Sequence, residues 1–474
     1  MHDIYRLSAT KVVSLLRDRE VSPLDVVDAA IDRIEAVDPA INALPTRCFD
    51  RARQQAIAIR DGPRDENPRS LHGLPIAVKD YNDVGGVKTT FGSPIFADNV
   101  PSFSDTTVAR LEKNAAIPIA KANVPEWAGG HTFNPVFGTT RNPWNTDLSA
   151  GGSSGGSGAA LAAGLVWLAT GNDLGGSLRT PASFNGVVGL RPSPGVVPRP
   201  RRLPAYDVLW VEGPMGRCVS DVALMLDAGG GRDLADPLSF ESEGGLFSQS
   251  LEDGVLPARV AFSPDLGVVP MTAQVASVCE AAAQRFDDLG ADVTDDAPDF
   301  SGAIEGFQTL RAALVATMMG PMLQAHRSDM APEIIDNIER GLNLCVDDIY
   351  AAERARSELY ARIAKFFETH DVLVCPAASI TPFPVEQRYV EEIDGQRCQT
   401  YIDWFSITFA ITMTACPALS LPCGFSDEGM PIGMQLIGRP RGERALLRAA
   451  HQLEKRLGIA QHVPVDPSTP DRLR

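Results

Sequence analysis

Two clusters of glycine and serine, residues 151–158 (GGSSGGSG) and 175–177 (GGS), flank one apolar run at residues 159–169. Glycine is expensive to order and is kept where a backbone must approach something closely or take a positive φ. Each cluster presents a serine, so the pair suits a site built from backbone N–H groups and hydroxyls. A flexible Gly/Ser linker is the alternative reading, and the intervening AALAAGLVWLA argues against it. In Asn172-Asp173-Leu174-Gly175-Gly176-Ser177, small residues let successive N–H groups converge where a tetrahedral oxyanion would sit, with Ser177 as candidate nucleophile. A lone GGS turn is a weak signal. The first cluster lacks the Gly-Lys-Ser/Thr of a phosphate loop and does not fit G-x-G-x-x-G. It leads into a helix, so an anion-binding helix start stays open.

A serine nucleophile needs a base, and histidine is the usual one. The chain has 7 histidines. His2, His326, His370, His451 and His462 sit in helical or terminal contexts with no motif around them. His72 precedes a strand, and His131 lies in a glycine-rich loop where a pocket-lining or surface role outweighs a catalytic one. Lysine then becomes the candidate. Lys79 ends the short apolar run GLPIAVK and is followed by Asp80. Desolvation there would lower its pKa; on spacing alone, a lysine snorkelling to solvent fits as well.

The elements that must position these groups follow from periodicity. Residues 8–18 and 22–37 are predicted helices, the second with Ser22 as cap, Pro23 at its first position and Asp25 near its positive end. A third helix is predicted over 46–59 and a surface loop over 61–70. Runs 73–79, 116–121, 258–263, 292–294, 371–375, 418–422 and 432–437 read as strands, bounded by turn residues. Helices are predicted at 106–113, 272–289, 347–367 and 445–457, and the run 159–169 as a buried helix. Residues 301–370 carry little strand signal and are expected to form a helical layer or cap. The alternation favours an α/β fold: a large mixed sheet covered by helices on both faces, in one domain (1–474). Its core would span roughly 65–230 and 371–457, with N-terminal helices at 1–60.

A chain of 474 residues, 44% hydrophobic and 22% charged, suits a globular protein with a substantial core. The formal charge of -17 disfavours nucleic-acid and anionic-membrane surfaces. The eight cysteines (Cys48, Cys218, Cys279, Cys345, Cys375, Cys398, Cys416, Cys423) show no C-x-x-C and no zinc spacing. No signal-peptide pattern or spanning segment is evident. The expectation is a reduced, cytoplasmic protein without metal or cofactor; a homodimer is compatible with it.

Together these segments resemble the amidase signature family of serine hydrolases. The resemblance rests on GLPIAVKD (73–80), NPVFGTTRNPWN (134–145), AGGSSGGSGAALAAG (150–164), NDLGGSLRTPASFNGVVGLRPS (172–193) and EGPMGRCVSDVALML (212–226). TACPALSLPCG (414–424), GMPIGMQLIGRP (429–440) and the N-terminal RIEAVDPAINA extend it over nearly the whole chain. The resemblance implies that family's fold and a Ser–Ser–Lys triad: Ser177 as nucleophile, Ser153 bridging beside a cis peptide, and Lys79 neutral as base. It implies an oxyanion hole from the backbone of Leu174, Gly175, Gly176 and Ser177. Ser154 competes for the bridging place, and motif spacing favours Ser153. Asp173 and Arg179 match patterned positions with an expected bracing role. Trp127, with Gly129 and Gly130 beside it, matches a pocket-lining position near the acyl carbon, and Ser153 is expected among the substrate-binding residues; a buried packing tryptophan is the alternative for Trp127. Asn172, where many members have Thr or Ser, and Gly195-Val196-Val197 depart from the pattern, and neither is expected to touch the triad. Arg199, Arg201 and Arg202 are expected to be solvated.

The resemblance leaves three functions open: a stand-alone amidase with reach to esters or carbamates, the glutaminase-type subunit of a tRNA-dependent amidotransferase, or a silent binding protein. The second kind usually reads close to SLDQIGP before its Gly-Pro step, whereas this chain has YDVLWVEGPMG (206–216). The expected pocket walls, 313–324 and 401–413, are rich in Met, Phe and Ile. They suit a small-molecule substrate with an apolar or aromatic part.

Overall fold

A computed structural model describes residues 3–200 and 203–469. Eleven strands join in one sheet: β1 (Thr46–Arg47), β2 (Pro75–Lys79), β3 (Ile117–Ala122), β4 (Leu168–Asp173), β5 (Val188–Arg191), β6 (Val211–Gly216), β7 (Arg259–Phe262), β8 (Asp292–Asp295), β9 (Val372–Pro376), β10 (Ala418–Phe425) and β11 (Pro431–Ile437). Their spatial order is β1-β3-β2-β4-β6-β5-β10-β11-β9-β7-β8. The pairs β3–β2, β2–β4, β9–β7 and β7–β8 are parallel. The others run antiparallel, which makes the sheet mixed.

Strand periodicity explains why both faces are covered. Successive side chains point to opposite sides of a strand. Val260, Val372, Val374, Leu419, Leu421, Met434 and Leu436 therefore join one apolar cluster with helices Val219–Gly229, Ala273–Ala283 and Glu443–Leu457. Their neighbours Ala261, Leu373, Cys375, Ala418 and Ile437 join another, under helices Ala303–His326, Val346–Phe366 and Ser406–Thr412. Strands apolar on every side carry no amphipathic stripe, and they read as short continuous apolar runs.

The N-terminal helices match their local signals. In Pro23–Ile41 the Ser22 hydroxyl accepts the Asp25 N–H at 3.2 Å and the Asp25 carboxylate accepts the Ser22 N–H at 3.0 Å, a reciprocal cap. This helix runs past the expected end at 37, to Ile41. The helix expected over 46–59 begins later: Thr46–Arg47 is an edge strand, and the helix is Phe49–Asp61.

The apolar run 159–169 is not one helix. Helix Gly155–Ala162 ends, Gly164 turns the chain at φ +70, and β4 begins at Leu168. Both pieces are buried on all sides, so hydrophobic spacing cannot separate helix from strand here. A side chain at Gly164 would meet Pro464 Cβ at 2.8 Å and Tyr5 Cδ2 at 3.0 Å.

Helix Gly155–Ala162 is pressed against backbone. A Cβ on Gly156 would stand 2.4 Å from the Asn123 nitrogen, 2.6 Å from its oxygen and 2.8 Å from the Ala43 oxygen. None of these atoms is the end of a flexible side chain. Gly156→Ala is expected to destabilise the protein by about 1–3 kcal/mol, read as a lower urea midpoint. An unchanged midpoint would mean that this helix is free to shift. Among the described residues, no helix is long and apolar enough to cross a membrane.

Candidate active site

Lys79 closes β2, and its side chain is fully buried. Its Nζ lies 2.7 Å from Ser153 Oγ, 2.8 Å from Ser154 Oγ and 2.6 Å from Asn172 Oδ1. Fold order explains the meeting. β2 and β4 are parallel neighbours, so Lys79 and Asn172 stand at the same end of the sheet. Ser154 caps helix Gly155–Ala162, which returns the chain to β4. The Lys79 N–H donates to Thr170 Oγ1 at 2.9 Å, fixing the register of the lysine against β4. Among the described residues, no carboxylate lies within 4 Å of the amine. Burial pulls the Lys79 amine from the ordinary lysine value down to about 7, with Glu212 and Asp173 acting the other way.

Ser153 follows a cis Gly152–Ser153 peptide. Distance to the lysine does not separate Ser153 from Ser154, since both hydroxyls contact Nζ. Asn172, expected to leave the triad alone, supplies the shortest contact to Lys79. Lys79 ends β2 and Asn172 stands one residue before the end of β4, but only the parallel pairing of those strands makes them neighbours.

Ser177 is the one residue between 151 and 190 that is not buried. It follows Gly176, whose φ is +130, and the Ser154 N–H donates to the Ser177 carbonyl at 3.3 Å. The two serine segments are therefore in direct contact. Below the turn, Asp173 accepts from the Gly176 N–H (2.9 Å), the Leu178 N–H (3.2 Å), Arg179 Nε (3.0 Å) and Arg179 Nη2 (2.9 Å). Arg191 Nη1 lies 3.2 Å from the same carboxylate. Burial alone would raise the Asp173 pKa, yet Arg179 and Arg191 hold its carboxyl well below the usual carboxylate range. With the Gly176 N–H directed at Asp173, the Leu174, Gly175 and Ser177 amides are the ones without an acceptor among the described residues.

A cavity of about 210 Å³ opens beside Leu174. Trp127 lines it, stacked on Phe91 at 5.2 Å. Gly129 faces a different cavity, and Gly130 packs its carbonyl against Gly152. Of the expected walls, 313–324 contributes Leu314, Val315, Met318 and Met319. Segment 401–413 does not line this cavity: Phe409 stacks on Phe307 at 4.4 Å behind the glycine turn, and Tyr401 faces the adjoining chamber. Tyr81, Trp210, Arg199 and Glu212 complete the wall instead.

Arg199 is not solvated. It pairs with Glu212 at 3.4 Å and Asp207 at 3.7 Å and lies over the Trp210 ring at 4.3 Å. Burial raises the Glu212 pKa, and Glu212 stands opposite Asn172 across the β4–β6 ladder. Arg201 and Arg202 lie outside the described residues. His131 is buried between Phe133 and Phe383, and burial lowers its pKa to about 4. It makes no hydrogen bond to Lys79, Ser153 or Ser177.

Residues 25–447 match the family model described as Amidase. An acylamidase of Rhodococcus erythropolis is 34% identical over 472 residues, covering 98% of both chains. A glutamyl-tRNA(Gln) amidotransferase subunit of Alkaliphilus metalliredigens is 32% identical, covering 93% of this chain and 94% of the relative. The crystal structure of a bacterial aryl acylamidase of the amidase signature enzymes superposes with a TM-score of 0.91 at 28% identity. That match covers 98% of this chain and 99% of the other.

Proposed function

The chain belongs to the amidase signature family, and on that footing we propose that it is a free-standing hydrolase of amide C–N bonds, with Ser177 as nucleophile, Ser153 as bridge and Lys79 as base. The observation that carries this reading is a fully buried lysine with no carboxylate partner among the described residues, its amine 2.7 Å from a serine hydroxyl. A lysine so placed is held near neutrality and can accept a proton.

In the proposed cycle the neutral Lys79 amine takes the Ser153 proton. Ser153 takes the Ser177 proton as Ser177 Oγ bonds to the acyl carbon. The carbonyl oxygen becomes an oxyanion facing the Leu174–Ser177 backbone, whose free donors are the amides of Leu174, Gly175 and Ser177. The relay then runs backwards: the amine leaves with the proton that Lys79 held, and the acyl group stays on Ser177. Water, deprotonated through the same chain, breaks that ester and restores all three residues. Asn172 Oδ1 can only accept, so it occupies one amine N–H. A second N–H directed at Ser154 leaves the lone pair for the Ser153 proton.

The substrate proposed is a small amide, ester or carbamate with an apolar or aromatic part, because Trp127, Leu314, Val315 and Met318 border the cavity next to Leu174. The test is a matched panel of aryl and alkyl amides, esters and carbamates with Ser177→Ala as blank. Charged small amides turned over far faster than aryl amides would sink the substrate assignment. Similarity to amidotransferase subunits favours a second reading, release of ammonia from glutamine with partner subunits. Glutaminase activity, or co-purifying subunits, would select it.

The base makes its own prediction. Since Lys79 must be neutral to act, kcat/KM should rise tenfold per pH unit below about 7 and flatten above it. Lys79→Ala is expected to lower kcat/KM by about 10²–10⁴-fold and remove that limb. A loss no larger than that of an exposed lysine variant would eliminate Lys79 as base.

A further inference from the structure

Helix Ala303–His326 touches the glycine turn through Phe307: a Cβ on Gly175 would stand 2.8 Å from the Phe307 ring. Arg311 is one turn further along the same face, about 6 Å on. It lines the cavity beside Leu174 and also an adjoining chamber of about 460 Å³ that holds Gln308, Asn337, Thr400 and Tyr401. Its ring partner Tyr401 approaches the other side of the site, 3.7 Å from where a Gly130 Cβ would be, and Gly130 packs on Gly152.

Arg311 is only 5% exposed, and among the described residues no carboxylate lies within 4 Å of its guanidinium. Among the described residues its one hydrogen bond goes to Tyr401 Oη, and its guanidinium carbon is 5.4 Å from the Tyr401 ring centre. The other buried arginines are served differently. Arg179 and Arg191 share Asp173, and Arg217 reaches the carbonyls of Tyr5 and Leu7. A guanidinium stays charged and carries five donors, and a buried charge is costly unless it is paired. Asn337 lines the same chamber, is also 5% exposed, and has a buried Nδ2 with no hydrogen-bond partner among the described residues. The chamber is also lined by Glu333, Asp336 and Glu391 and by Arg340 and Arg397; Glu333 is engaged by Arg388 at 2.7 Å, and among the described residues none of the three carboxylates pairs with Arg311.

We propose that Arg311 and Asn337 anchor a carboxylate carried by the substrate away from its scissile bond. The inference rests on the hydrolase reading above, because it assigns the far end of the same site. Two planar donor groups suit the two oxygens of a carboxylate, while the Trp127 side takes the apolar body. The substrate class becomes amides with an apolar body and a carboxylate end.

The test is binding, so that it does not depend on turnover. Calorimetry on Ser177→Ala protein compares two matched pairs that exchange a carboxylate for a methyl group: glutaryl against pentanoyl 4-nitroanilide, and N-acetyl-4-aminobenzoate against N-acetyl-4-methylaniline. The carboxylate member of at least one pair should bind about tenfold or more tighter. Adding Arg311→Leu should bring that ratio to within about twofold of one, and adding Asn337→Leu should lower it as well. Ratios near one in both pairs on the Ser177→Ala protein would overturn the anchor, as would a preference that survives Arg311→Leu. The first of these needs no arginine variant to fold. Failure of the wild-type enzyme to hydrolyse any of the four amides would instead count against the hydrolase reading, whatever the binding ratios.

Discussion

Ser177→Ala is expected to lower kcat/KM on an aryl amide by about 10⁴-fold or more, with the circular dichroism spectrum and urea midpoint unchanged. The size follows from position. Ser177 is the one partly exposed residue in an otherwise buried stretch, set on a glycine turn braced from beneath by Asp173. Losing its hydroxyl removes no packing and leaves no buried polar group unpaired. The oxyanion-facing amides and the pocket survive, so the residual rate should stay above that of the uncatalysed reaction. Activity within tenfold of the wild type would place the nucleophile elsewhere, and Ser153 would be the first alternative.

The second large effect is on stability. Arg179→Met is expected to destabilise the protein by about 3–5 kcal/mol, since it removes one partner of a fully buried ion pair. Asp173 would keep Arg191 but lose both bonds to Arg179. The same guanidinium also donates to the Thr408 carbonyl at 2.8 Å, Gln435 Oε1 at 2.9 Å and Thr412 Oγ1 at 3.0 Å. Those three acceptors belong to the helix behind the glycine turn and to β11, so the arginine ties the turn to two distant parts of the chain. Activity should fall with stability, because Asp173 shapes the turn through the Gly176 and Leu178 amides. Urea unfolding measures the first effect. A change below about 1 kcal/mol would mean that the cluster relaxes around the loss.

How far the site was legible depended on whether a residue's role is local. The cap on Pro23–Ile41, the strand ending in Lys79 and the two glycine-serine clusters each have causes within a few residues. They were readable because caps, turn chemistry and apolar runs act over one or two turns of chain. The join inside 159–169 was not readable, because total burial erases the periodicity that distinguishes a helix from a strand. Arg199 looked like part of a solvated basic loop. Its carboxylate partner Glu212 lies on β6, and nothing in the proline-rich segment announces that pairing.

By itself, then, the sequence determined the family pattern, the candidate nucleophile and bridge, and the strand that delivers the lysine. Motif residues within one segment carry that information directly. Only the tertiary structure decided that Asn172 and Ser154 share the lysine with Ser153. It also decided that the 401–413 segment stands behind the turn rather than in the cavity, and that Arg311 is buried at the pocket wall with no carboxylate within 4 Å among the described residues. Each of these depends on strand order and on which helix covers which face. Those are settled by the summed burial of the whole core, and no single segment of the chain records them.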